Sequence, residues 1–158
     1  MSRLNKFKVA QWLLSLTYSS LLVYIVFFAR RRRGLIWHEE FVNLTPVVNS
    51  IRSYQSIPVE GLWDFYSNLF GNILLFVPLP FILIILFRIS SRLKLVLIGM
   101  GLSLAIECTQ YFLRIGIPDI DDVLLNTTGV VVGIVAWMLL FKIKFVRRNR
   151  LIHRHSIS

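Results

Sequence analysis

Four long runs of apolar residues constrain the fold of this chain more than any other feature. They extend over about residues 9–29, 69–87, 95–113 and 123–141, and each is close to the ~20 residues that an α-helix needs to cross a bilayer. Of all residues, 56% are apolar and only 16% are charged, and the mean hydropathy is +0.67. These values are far from those of a water-soluble domain. The sequence therefore predicts an all-α membrane protein, a bundle of four transmembrane helices.

The four runs leave no length for a separate soluble domain in a chain of 158 residues, so we expect one membrane domain over 1–158. A short, aromatic-rich extracytoplasmic segment should lie at the membrane interface between the first and second helices. Within it, residues 43–46 read as a turn and 59–67 as a short interfacial helix. Pro78 and Pro80 should bend the second transmembrane helix on a side that faces protein.

The orientation follows from the distribution of basic residues, since short cytoplasmic segments collect Lys and Arg. With both termini in the cytoplasm, twelve of the 18 basic residues lie inside, and 142–158 forms a basic cytoplasmic tail. Arg30 to Arg33 argue the other way, because four arginines directly after the first helix should resist export. They could instead contact anionic phosphates at the outer leaflet.

Several classes of function find no support in the sequence. Cys108 is the only cysteine, and His38, His153 and His155 form no spacing typical of a metal site. We therefore expect no metal and no cofactor. The basic tail is explained by the positive-inside rule, so nucleic acid is not an expected partner.

Polar residues interrupt the third and fourth runs at helical spacings. Two sets of polar residues are each spaced by three and then four positions, so each set shares one face of its helix. The first set is Glu107, Gln110 and Arg114, and the second is Asp119, Asp122 and Asn126. The second helix adds Asn72 near the same level. Charges in apolar segments are costly and usually line a wet cavity or pair inside a bundle. We therefore predict an outward-facing polar pocket.

Each of these residues also has a purely structural interpretation. Asp119 and Asp121 could cap the last helix and complement its dipole, and Glu107 could pair with Arg114. Asn72 and Asn126 could join helices by hydrogen bonds, and the Gly129–Gly133 spacing is typical of close helix packing. The pocket interpretation is favoured because the polar groups of three helices collect at one end.

Four segments, in this order, resemble motifs of the VanZ-like family of membrane proteins. They are Asn43-Leu44-Thr45-Pro46, Asn72 to Pro78, Ile106 to Gln110, and Asp119 to Gly129. Each is weak alone, but four in order at matching separations are specific. Pro80 departs from the family pattern, which more often has glycine there. By position, the resemblance assigns family-typical roles to Asn43, Pro46, Asn72, Pro78, Glu107, Gln110, Asp119, Asp122, Asn126 and Gly129.

The resemblance implies a small protein of the bacterial cytoplasmic membrane, from a family named for low-level resistance to teicoplanin. We expect a non-enzymatic protein that binds a lipid-linked cell-wall precursor or a lipoglycopeptide, with membrane lipids as further partners. The expected ligand-binding residues are Asn43, Asn72, Glu107, Gln110, Arg114, Asp119, Asp122 and Asn126. One alternative is an intramembrane acid/base enzyme that acts on a polyprenyl-phosphate-linked lipid through Glu107, Asp119 and Asp122. Another is a lipid head-group transporter. The sequence does not indicate an oligomeric state.

Overall fold

The computed structural model describes residues 3–28, 42–47 and 54–155. Helix α1, Arg3–Val23, continues into a π-helical turn, Tyr24–Phe28. A short 3₁₀ turn, Val59–Gly61, leads into α2, Leu62–Phe76, and α3, Leu79–Phe87, follows after a break. Helix α4 comprises Arg92–Leu113, and α5 comprises Ile120–His155. Within the predicted interfacial segment, residues 42–47 and those from 54 onward are described, whereas Arg30 to Arg33 lie outside the described residues.

Four helical segments are long and apolar enough to cross a membrane: Lys8–Phe28, Val59–Phe87, Arg92–Leu113 and Ile120–Phe141. The predicted all-α membrane fold with four transmembrane helices is thus confirmed. The helix of the second segment begins about ten residues before the predicted span, because the helix expected over 59–67 is continuous with it. The predicted basic tail likewise begins within α5, which continues to His155.

Helix α5 is the centre of the bundle and packs against α2, α3 and α4. Two glycines allow the closest of these approaches. A Cβ added to Gly129 would overlap the carbonyl oxygen of Ile73, and one added to Gly133 would overlap that of Val77. The packing interpretation of the Gly129–Gly133 spacing is therefore confirmed.

The second membrane segment is broken at Pro78, as the sequence predicted. Proline has no N–H to donate within a helix, and α2 accordingly ends at Phe76 while α3 begins at Leu79. The Tyr18 hydroxyl donates a hydrogen bond to the Leu75 carbonyl oxygen at 3.0 Å. Helix α1 thus provides a donor at the break, and the buried Pro80 faces protein.

Helix α4 ends where the chain reverses direction. Arg114 has a left-handed backbone conformation, with φ 54°, and its N–H bonds to the carbonyl oxygens of Gln110 and Tyr111. A cap of this kind ends a helix by satisfying its last carbonyls. The chain then turns back, so that Pro118 and Asp119 lie beside the last turns of α4.

Candidate ligand-binding site at the turn between α4 and α5

Asp119 is the N-cap of α5. Its Oδ1 atom accepts a hydrogen bond from the Asp121 N–H at 2.8 Å, and its carbonyl oxygen accepts one from the Asp122 N–H at 3.1 Å. These bonds satisfy N–H groups that a helix leaves without partners at its start. The capping interpretation is therefore confirmed. The Asp119 side chain also makes a further contact, with Asn43.

Residues 42–47, which we call the docking segment, lie against this cap. The Asn43 N–H donates to the Pro118 carbonyl oxygen and the Asn43 carbonyl accepts from the Ile120 N–H, both at 3.0 Å, which forms an isolated parallel bridge. The Asn43 side chain donates to Asp119 Oδ1 at 2.7 Å and accepts from the Thr45 N–H at 3.1 Å. Only a side chain with both a donor and an acceptor can make both contacts.

Asp121 fixes the other end of the docking segment. Its Oδ1 atom accepts a hydrogen bond from the Val47 N–H at 2.7 Å, and the residue is buried. Sequence reasoning assigned Asp121 only to the cap and dipole of the last helix. No sequence signal indicates this contact, because its donor is a backbone group 74 residues away.

Glu107 connects α4 to the start of α5. It is buried, with 8% of its surface exposed, and its Oε2 atom accepts a hydrogen bond from the Asp119 N–H at 3.0 Å. Burial of a carboxylate is costly unless it receives hydrogen bonds. Glu107, the acid predicted to lie deepest in the membrane, is therefore buried against protein, and it contacts Asp119, the N-cap of α5.

Helix α2 contributes at the same level through Asn72. Its side-chain amide donates to the carboxylate of Asp122, which is buried in the first turn of α5. The structure thus brings polar side chains of α2, α4 and α5 to one end of the bundle, which we call the polar end.

Gln110 and Asn126 lie deeper and join helices. The Gln110 amide donates to the Val26 carbonyl oxygen at 3.2 Å, and the Asn126 amide donates to Ser103 Oγ at 2.8 Å. Both contacts fit the interhelical hydrogen bonding considered for the asparagines. Sequence reasoning missed Ser103, although it precedes Glu107 by four residues and shares its face of α4.

A cavity of about 520 Å³ opens at the polar end. Its walls are mainly apolar, and Leu104 and Phe112 on the α4 side are exposed, so this wall is continuous with the lipid-facing surface of the helix. Among the described residues, Asn43, Glu107 and Asp119 give the lining its amide and carboxyl groups, and Cys108 and Tyr111 add a thiol and a hydroxyl. Arg114 is exposed and is not among the lining residues.

One carboxyl group at the cavity, that of Asp119, has a shifted pKa. Burial raises the pKa of the Asp119 carboxyl above its ordinary value, the hydrogen bonds from the Asp121 N–H and the Asn43 amide oppose this rise, and the negative charge of Asp121 adds to it. Within the described ranges, no three His, Cys, Asp or Glu side chains are grouped as a metal site would require. The arrangement is suited to hydrogen bonding beside an apolar chamber.

Comparison with known proteins places the chain in a family. The sequence model of the VanZ/LLP1 family matches residues 15–142. The chain belongs to the VanZ-like family. This confirms the resemblance found in the four motifs, and the match also includes residues 15–23 of α1, which the motifs do not cover. No curated protein and no solved structure matches the chain.

In this VanZ-like protein the motif residues fall into two groups. Asn43, Glu107 and Asp119 line the cavity. Five others mainly connect helices or allow them to approach; these are Asn72, Gln110, Asp122, Asn126 and Gly129. Pro80, the departure from the family pattern, packs close to Gly133. It therefore affects the packing of α3 on α5, away from the cavity.

Proposed function

We propose that this VanZ-like protein binds a membrane-embedded amphiphile in the cavity at the polar end, and that binding reduces the effect of lipidated glycopeptides of the teicoplanin type. The ligand is either a lipid-linked cell-wall precursor or the lipid tail and sugar of the drug. One observation carries the proposal: a cavity with apolar walls meets the lipid-facing surface of α4 and has Asn43, Glu107 and Asp119 at its polar side.

The size and lining of the cavity support binding of an amphiphile. Ligand pockets typically have volumes of about 300–1,000 Å³, apolar walls and a few polar groups that orient the ligand. The cavity, at about 520 Å³, lies in this range. Exposed Leu104 and Phe112 on its wall would let an aliphatic chain enter from the bilayer rather than from water.

The proposal places the polar end outside the bacterial cytoplasmic membrane and both termini in the cytoplasm. The distribution of basic residues supports this orientation, since it places two thirds of them inside. In this orientation the cavity lies in the outer leaflet, where wall precursors and glycopeptides are present.

Growth inhibition of a susceptible bacterial strain tests the proposal. Expression of the protein should raise the inhibitory concentration of teicoplanin and leave that of a glycopeptide without a lipid tail unchanged. Glu107→Gln should abolish this protection, because it removes the charge at the cavity but keeps an oxygen that can accept the Asp119 N–H.

Asp64→Asn is the matched control, since Asp64 is an exposed acid outside the cavity. It should protect like the wild type, at equal membrane abundance of all three proteins. Full protection by Glu107→Gln would remove the cavity from the explanation. Equal protection against both drugs would contradict a mechanism that depends on the lipid tail.

An intramembrane acid/base enzyme is the second candidate, and one observation favours it. Two carboxyl groups, those of Glu107 and Asp119, border the same cavity, an arrangement that can supply an acid and a base. Asp122, the third predicted catalytic residue, is bonded to Asn72 and is not among the lining residues. Conversion of a labelled polyprenyl phosphate by purified protein would establish catalysis, whereas a binding protein should leave this lipid unchanged.

A further inference from the structure

A second cavity, of about 430 Å³, runs between α1 and α3, away from the polar end. We call it the α1–α3 groove, and its walls include Gln11, Ser15 and Tyr18 of α1 and Phe81, Ile82 and Ile85 of α3. We propose that this groove is a lipid site, which holds one acyl chain of an anionic phospholipid and binds its phosphate through Lys8 and Arg88. The site stands apart from the cavity at the polar end and does not depend on the function proposed there.

The length of the groove matches one leaflet of a bilayer. Its lining residues on α1 extend from Gln11 to Leu21, which corresponds to about 15 Å at the rise of an α-helix. This is half of the ~30 Å hydrocarbon core. The groove begins at Pro78, where the second membrane segment is broken, and continues to the last turn of α3. It therefore runs from the middle of the membrane toward one surface, as an acyl chain does.

The groove is open to lipid along its side. Leu14, Leu21 and Ile85 line it and are exposed, and α1 is the least buried of the four membrane segments. The Thr17 hydroxyl donates to the Leu13 carbonyl oxygen of its own helix, so this polar group is already satisfied. The walls thus offer a mainly apolar surface to a chain that enters from the bilayer.

Two basic residues lie where the groove reaches the membrane surface. The rings of Trp12 and Phe87 make an edge-to-face contact with their centroids 6.4 Å apart, which places the start of α1 beside the end of α3. Lys8 precedes Gln11 by three residues and shares its face of α1, while Arg88 is the C-cap of α3. Both are exposed. Basic pockets of this kind between transmembrane helices bind anionic lipid head groups.

The sequence itself fixes the sign of the charge on these helices. None of the eight acidic residues of the chain lies in 1–38, 65–106 or 123–158, and these ranges contain all of α1 and α3 and the start of α4. Glu39 and Glu40 belong to the connection between α1 and the docking segment, and both ends of this connection are at the polar end. A phosphate at Lys8 and Arg88 therefore meets basic residues without a carboxylate on the surrounding helices.

The test uses the full-length protein in detergent micelles that contain equal amounts of dioleoyl phosphatidylglycerol and dioleoyl phosphatidylcholine. Native mass spectrometry identifies the lipids that stay bound when the detergent is removed. The wild type should retain one phosphatidylglycerol with about tenfold preference over phosphatidylcholine, the effect expected of two basic side chains on a lipid with a net negative charge. Equal retention of the two lipids would overturn the proposal.

The combined change Lys8→Gln and Arg88→Gln should abolish this preference. The matched control is Lys6→Gln with Lys94→Gln, because it removes the same charge from exposed residues at the same end of the bundle. Lys6 is two residues from Lys8 and so lies on the other side of α1. The control should keep most of the preference. An equal loss in the two double variants would assign the preference to the overall charge of this end and overturn the site.

Ser15→Phe tests where the acyl chain lies. The added ring would fill part of the groove, so this variant should lose the bound phosphatidylglycerol. Ser20→Phe makes the same change at an exposed position of α1 outside the groove and should retain the lipid. Equal retention by the two variants would place the lipid elsewhere. A lipid-free dimer of the wild type that dissociates with Ser15→Phe would assign the groove to a second copy of the chain instead.

Discussion

Glu107 in α4 accepts a hydrogen bond from the backbone N–H of Asp119, the N-cap of α5, at 3.0 Å. This contact connects two transmembrane helices at the point where the chain reverses between them. It also places two acids of the predicted site at one cavity. Since the donor is a backbone group, replacing Asp119 leaves the contact in place, whereas truncating Glu107 removes it.

Glu107→Ala should therefore destabilise the fold as well as change the cavity. It leaves the Asp119 N–H without this acceptor, and a buried polar group without a partner costs about 1–3 kcal/mol. The free energy of unfolding, measured by denaturation in mixed micelles, should fall by this amount. Glu60→Ala removes an exposed acid and should have little effect. Equal stability of the two variants would show that the contact does not contribute.

Asn43→Asp tests whether the hydrogen bond from Asn43 keeps the docking segment bound to the start of α5. The change replaces the amide that donates to Asp119 Oδ1 by a carboxylate, so that two like charges face each other. Protease cleavage within residues 42–47 should become faster at pH 7.5 than in the wild type and approach the wild-type rate at pH 5, where one proton can be shared. Leu44→Ala, a change at an exposed side chain, is the control. A variant as resistant as the wild type at pH 7.5 would contradict the contact.

Asp119→Asn should change how stability depends on pH. Burial raises the pKa of Asp119 in the folded protein, so the folded state binds a proton more tightly than the unfolded state does. The stability from this group is complete below its ordinary pKa of 3.8 and declines as pH rises through the higher folded value. Asparagine also caps helices well but does not titrate.

The melting temperatures of the wild type and Asp119→Asn should therefore be compared from pH 7.5 downward. The wild type should gain stability relative to the variant as the pH falls toward 4. A difference that is constant over this range would show that Asp119 has the same pKa in the folded and unfolded states.

Gly129→Ala should destabilise the packing of α5 on α2. The added methyl group would overlap the Ile73 carbonyl oxygen, and overpacking of this kind costs about 1–3 kcal/mol. Gly101→Ala is the matched control, because a Cβ at Gly101 meets no atom within 4 Å and alanine favours helix. The control should unfold at the same or a higher denaturant concentration than the wild type. An equally stable Gly129→Ala would argue against this close approach.

The features predicted correctly from the sequence are those set by local patterns. Run length and hydropathy gave the four membrane segments, and an aspartate before an apolar run gave the cap of α5. The helix of the second segment extends about ten residues before its apolar run, because Trp63, Asp64 and Tyr66 suit an interface as well as the first turns of a transmembrane helix.

The docking of Asn43 could not be predicted from spacing. Its bridge to Pro118 and Ile120 uses backbone groups, which leave no trace in side-chain patterns. The bridge pairs Asn43 with Asp119, which lies 76 positions later in the chain. The left-handed conformation of Arg114 could not be predicted either, since nothing in an arginine indicates a positive φ. Polar faces of single helices are visible in a sequence, whereas the contacts that bring them together are not.

Tyr18→Phe tests whether α1 stabilises the break in the second membrane segment. The Tyr18 hydroxyl bonds to the Leu75 carbonyl oxygen, next to the point where Pro78 interrupts the helix. Interhelical hydrogen bonds in membrane proteins contribute about 0.6 kcal/mol on average and up to about 1.7, so the variant should lose stability within this range. Tyr24→Phe is the matched control, because Tyr24 is 57% exposed on the same segment of chain. If both variants unfold at the wild-type denaturant concentration, the tyrosine hydroxyl contributes nothing, and packing against α5 holds the broken segment without it.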